Sequence, residues 1–204
     1  MTNKRFLFPA IAAMVLALLF PIYWYTQFGN MTSGGEALIK DLSGLNPSDL
    51  VFLLIGILNV YIYVSLKKFL NERHEFNAAD IPLVLLIATV SIFVFGSLAL
   101  DSFMYFFGNR LNLPSQEGLV DGNIAALVIS TIVFGGLNIT LGFILFTRSR
   151  EFLGTLKAFA VVLMIEGFFE VTVIFSVISI VIFPLALIIL AILFLREPEV
   201  LEVV

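Results

Sequence analysis

Glu166 and Glu170 are the residues whose type and spacing most invite chemistry in this sequence. They stand four apart in a stretch, from Lys157 to Arg196, that is otherwise almost wholly apolar. On a helix, residues four apart share a face and sit about 5–6 Å from one another. Two carboxyls so placed form a protonatable or cation-coordinating pair. From a helix start near Ala158 they lie about 12 and 18 Å along the axis, inside a hydrocarbon layer about 30 Å thick. A charged side chain at mid-bilayer costs about 2.5–3.5 kcal/mol on insertion scales, so it normally faces a bundle interior, a partner or water. The plainer alternative is a tight hairpin that carries both groups near the outer surface, or carboxyls bonded to neighbouring helices.

Asp101, near the end of another apolar stretch, joins them as a third candidate for ion or proton binding. About 28 Å along its helix, it reads as an interfacial residue that snorkels outward or pairs with Arg110, and it could line an outer vestibule with Glu170. Asn59 and Asn138 each follow a glycine by three residues. Amide hydrogen bonds between membrane helices contribute about 0.6 kcal/mol on average, so these two read as helix-packing polar groups. The glycines beside them, Gly56, Gly135 and Gly136, permit close helix approach. His74 sits among charged residues and reads as solvated.

The chain lacks cysteine and has one histidine. Thiolate zinc sites, Fe–S clusters, disulfides and multi-histidine metal centres are thereby excluded, and no metal or cofactor is expected. A net charge of −4 argues against nucleic acid. No nucleophile motif or phosphate loop is visible, so the chain is not expected to be an enzyme.

The elements that must hold these groups follow from composition. Of 204 residues, 60% are hydrophobic and 13% charged; a soluble domain is about half apolar and about a quarter charged. Too little polar surface remains to wrap a water-facing globule. The pattern predicts an all-α polytopic bundle of transmembrane helices in a single membrane domain, 1–204. Spans are expected at Phe6–Trp24, Asp49–Ser65, Pro82–Phe107 and Asn123–Phe146. The stretch after Lys157 is nearly twice too long for one span and divides into helices at 157–174 and 178–195, with the turn inside Val171–Ile182. No Gly-Pro or Asn-Gly marks that turn; taken as one span, the stretch would leave five spans instead of six.

Nine Lys and Arg residues fall on one side (Lys4, Arg5, Lys67, Lys68, Arg73, Arg148, Arg150, Lys157 and Arg196). Only Lys40 and Arg110 fall on the other. The positive-inside rule then places both termini in the cytoplasm, in a plasma or inner membrane. Phe28-Gly29-Asn30 and Gly56-Ile57-Leu58-Asn59 recur at an offset of 79 residues as Phe107-Gly108-Asn109 and Gly135-Gly136-Leu137-Asn138. This suggests tandem two-helix units, 1–79 and 80–158, before a final hairpin, 158–196. Lipid is the expected surround, with membrane-protein partners or a homo-oligomer as the candidate associations. Short loops and the absence of a site motif favour a non-catalytic subunit or scaffold of a membrane complex. The alternative is a small transporter or channel component moving protons, cations or a small solute through Glu166 and Glu170.

Overall fold

The computed structural model describes residues 4–32, 46–107, 116–147 and 154–196. These form six α-helices: α1 (Lys4–Thr32), α2 (Pro47–His74), α3 (Asp80–Phe107), α4 (Gln116–Thr147), α5 (Gly154–Val171) and α6 (Ser179–Leu195). A 3-10 turn, Ser176–Ile178, precedes α6, and the described residues include no strand. Five helices are long and apolar enough to cross a membrane. The sixth, α5, is 18 residues long and carries Lys157, Glu166 and Glu170.

Each helix packs on its neighbours in sequence, and α6 returns to pack on α1, closing a six-membered ring. Pairs of aromatic rings fix the directions. Phe6 meets Phe194 at 6.0 Å and Phe20 meets Phe183 at 4.6 Å, so α1 and α6 run antiparallel. Phe6–Phe69 at one end and Tyr23–Phe52 at the other do the same for α1 and α2. The outward faces are apolar: Phe8 is 70% exposed, Ile92 73% and Val181 72%. Water would penalise such a surface, whereas hydrocarbon accepts it and forces every backbone polar group into helices. The chain is therefore a multi-pass membrane protein.

At one end of the ring lies a charged rim. Arg5 pairs with Glu72 at 2.9 Å, Lys67 with Asp80 at 3.2 Å, and Asn71 donates to Asp80 at 3.0 Å. The Arg73 guanidinium lies over the rings of Phe6 and Phe69 and donates to the Arg196 carbonyl at 2.9 Å. The start of α1 and the end of α6 thus share one face of the membrane, the face where the basic residues gather. Lys40, Arg110, Arg148 and Arg150 lie outside the described residues.

Helices extend past the spans read from sequence. α2 continues nine residues beyond Ser65, since Lys67 and Lys68 leave the hydrocarbon without ending the helix. His74 is its last residue rather than part of a loop. α1 likewise runs on past Trp24, with Pro9 and Pro21 inside it. Asn46 caps α2, its backbone N–H donating to the Asp49 carboxylate at 2.6 Å.

The stretch after Lys157 does form two helices. At 18 and 17 residues they are about 26 Å long, against about 42–48 Å for the helices of 28 to 32 residues before them. The last hairpin is therefore short, and its tip lies below the far ends of the other four helices. The turn is made without glycine: Val173 adopts φ 53°, in the left-handed region. The Val173 N–H donates to the Glu170 carbonyl at 3.0 Å and the Ser176 N–H to the Val173 carbonyl at 3.0 Å. These bonds satisfy a backbone that has left the helix at membrane depth.

Candidate functional site

The seam between α4 and α5 positions the acidic pair. Gly135 and Gly167 face each other so closely that a Cβ on Gly167 would collide with the Gly135 carbonyl, and one on Gly135 would come within 2.7 Å of the Gly167 carbonyl. One turn pair further along, Gly142 abuts Ala160 and Met164. Small residues at these points let the two backbones touch, the usual basis of tight packing where no hydrophobic force separates helix from lipid. Gly56 plays the same part against Val94 of α3, with 2.6 Å to a Val94 methyl. Gly136 does not: nothing lies within 4 Å of where its Cβ would be.

Asn138, one turn after Gly135, is carried by this seam to the end of α5. Its side-chain N–H donates to Glu170 Oε2 at 3.1 Å. Both groups are buried, Asn138 completely. Glu166 is 1% exposed, and its Oε2 has no hydrogen-bond partner; neither have Asn138 Oδ1 and Ser179 Oγ. Both carboxyls are thus held among the helices, whereas the turn beyond them is exposed, Ile174 to 83% and Phe175 to 53%.

Glu166 and Glu170 open onto a cavity of about 380 Å³ in the half of the bundle away from the charged rim. All six helices contribute to its wall. Trp24 comes from α1, Asn59 from α2, Thr89 from α3, Thr131 from α4 and Ser179 from α6, with Val173 and Ser176 from the turn. Apart from Ser130, its remaining lining is apolar, with Phe20, Phe52, Phe93, Phe134 and Phe183 among aliphatic side chains. No Lys, Arg or His lines it among the described residues.

The residues singled out from sequence thus separate. Glu166, Glu170 and Asn59 meet at one cavity, and Asn138 supports it from behind through Glu170. Asp101 does not line it: it is half-buried on α3, about 10 Å past Val94. Asn59 and Asn138, equivalent in the sequence pattern, differ in surroundings. One faces the cavity and the other is spent on a helix–helix bond.

Tyr63 was not anticipated. It is buried, stands one turn from Asn59 on the same face of α2, and lies within electrostatic range of both glutamates. The i, i+4 rule applied to Asn59 would have found it. Ser179, the one polar residue of α6, marked the turn in the sequence but gave no sign that it would line a cavity. No three His, Asp or Glu side chains among the described residues gather as a metal would need.

A carboxyl pair in the wall of a mostly apolar, half-open cavity can take up protons, or can neutralise a cation that has left its hydration shell. Comparison of the chain with protein-family models, with curated proteins and with solved structures gives no match, so the site is read from its own chemistry.

Proposed function

We propose that this membrane protein is a small transporter or channel component, whose central cavity admits a proton, a cation or a small solute at Glu166 and Glu170. The observation that carries the reading is the acidic pair in the cavity wall: Glu166, 1% exposed and with one oxygen lacking any partner, beside Glu170. A buried polar atom left unpaired costs about 1–3 kcal/mol. A group used only for packing would be replaced by an apolar one at no loss. Intramembrane carboxyls facing a cavity are the usual markers of ion or proton paths.

The role is one of binding and passage, not catalysis. The other reading, a non-catalytic subunit of a larger assembly, rests on short loops and the absence of a site motif, and it gives the acidic pair in the cavity wall no task. The membrane is expected to be a plasma or inner membrane, from the one-sided placement of basic residues.

The test is flux through vesicles holding the full chain, with a trapped pH dye and an imposed potential. Proton or rubidium flux above that of protein-free vesicles is expected, and Glu166→Gln with Glu170→Gln together should return it to background. Equal flux through the correctly inserted double variant would overturn the proposal. So would no flux of either ion in the unaltered protein, and the subunit reading would then be tested by co-purification in mild detergent.

A further inference from the structure

We infer that the cavity's occupant is a lipophilic organic monocation: an ammonium or similar centre borne on an apolar or aromatic body. The inference deepens the proposed function and rests on it for the role of the cavity, though not for the chemistry of the walls.

Charge comes first. The ionisable groups that face the space are Glu166 and Glu170, with Tyr63 behind them, and no basic residue offsets them among the described lining. An anionic solute would enter against two carboxyls with nothing to receive it. A cation would find at Glu166 an oxygen that no protein donor satisfies. Glu170 is less available, since Asn138 already donates to it. Two buried carboxyls four residues apart on one helix face do not both carry charge readily, so the pair suits a single positive centre better than a dication.

Shape and lining then separate an organic from an inorganic ion. At about 380 Å³ the space falls within the 300–1,000 Å³ range of small-molecule pockets and is far larger than a bare ion. A hard cation must replace its water with a close shell of oxygens. Beyond the two carboxyls, the side-chain oxygens here, from Asn59, Thr89, Ser130, Thr131, Ser176 and Ser179, are spread over five elements of a mostly apolar wall. Aromatic rings, by contrast, supply what an organic cation uses. Their faces attract positive charge, most strongly where water is excluded, and their area receives the apolar body. Trp24, Phe20 and Phe183 on one side and Phe52, Phe93 and Phe134 on the other provide both.

The chain carries its own reporter. Trp24 is the one tryptophan, and it lines the cavity. The experiment titrates the full chain in detergent with benzyltrimethylammonium, which stays charged at every pH. Parallel titrations use its neutral carbon isostere, neopentylbenzene, and sodium chloride. A saturable change in Trp24 emission is expected with the ammonium alone. Glu166→Gln should weaken it at least about tenfold, while Asp101→Asn, off the cavity, should leave it unchanged.

An equal saturable response to neopentylbenzene would overturn the inference in favour of a neutral lipophile. A response to sodium alone would overturn it in favour of an inorganic ion, and no saturable response to any of the three would overturn it as well. Should ion flux through vesicles still depend on Glu166 and Glu170 in any of these cases, only the class of occupant falls. Should flux fail while the ammonium binds, the cavity is a binding site and the transport role falls alone.

Discussion

Two groups of carboxyls in the protein are treated oppositely. At the charged rim, Asp80 faces Lys67 at 3.2 Å and accepts from Asn71 at 3.0 Å, and Glu72 faces Arg5 at 2.9 Å. In the bundle centre, Glu170 has only the amide of Asn138, and Glu166 keeps an oxygen with no partner. The rim is open to water, where an unpaired charge costs little, yet there the acids have cations. The centre is buried, where an unpaired charge costs most, yet there they have none. Stability alone would arrange the two the other way round. The difference separates acids that orient helix ends from acids held in readiness for something that arrives.

The comparison breaks first at the seam that carries the central pair. Gly167→Leu would drive the α4 and α5 backbones apart and should destabilise the protein by about 3 kcal/mol. Gly136→Ala, which meets open space, should stabilise it by up to about 1 kcal/mol through helix propensity. Thermal unfolding in detergent reads both, and equal effects at the two glycines would mean that the seam is not the constraint. Next is Glu166 itself. Replaced by leucine, it removes an unsatisfied buried carboxyl and should raise stability by about 1–3 kcal/mol while abolishing flux. A large loss of stability would instead make Glu166 a structural residue, and the contrast with the rim would disappear.

How far these regions were legible in the sequence differs for a physical reason. Lipid admits few solutions, so apolar length alone located the six helices, and the basic residues marked the rim. Helix ends were less visible, because a helix may leave the hydrocarbon and continue, as α2 does to His74. Glu166 and Glu170 stood out as charges in an apolar stretch, and Asn59 and Asn138 as amides beside glycines, but the apolar wall around them did not. In helices apolar on every side, no periodicity distinguishes the face turned to lipid from the face turned inward. The cavity-lining phenylalanines were therefore hidden among 22 phenylalanines. The turn after Glu170 was legible only as a length constraint. Val173 reaches the left-handed region without the glycine or asparagine that normally signals it.

That turn gives the next and smaller test. Among the described residues other than glycine, two take left-handed backbone angles, Val173 at the hairpin tip and Glu75 at the rim, with φ 53° and 49°. The conformation costs an L-residue about 1–2 kcal/mol, and a β-branched side chain fits it worst. Glycine removes that strain and returns about 0.5–1 kcal/mol as unfolded-state freedom. Val173→Gly should therefore stabilise the chain by about 0.5–1 kcal/mol, and more than Glu75→Gly does. The reverse order in unfolding midpoints would mean that the strain sits at the rim.

The smallest effect belongs to Asp80→Asn, and its salt dependence makes it the sharpest discriminator. Both members of the Lys67–Asp80 pair are about one-third exposed, at 33% and 30%. Such a pair contributes less than about 1 kcal/mol, and the asparagine oxygen can still accept from Asn71. Ions screen exposed pairs over about 10 Å at 0.1 M and about 3 Å at 1 M. The small destabilisation seen at low salt should accordingly vanish by 1 M. Screening cannot reach a carboxyl that is 1% exposed, so the gain from Glu166→Leu should be the same at both concentrations. If Asp80→Asn kept its full effect in 1 M salt, the rim would be electrostatically as closed as the centre, and burial would no longer explain why the two sets of acids are partnered differently.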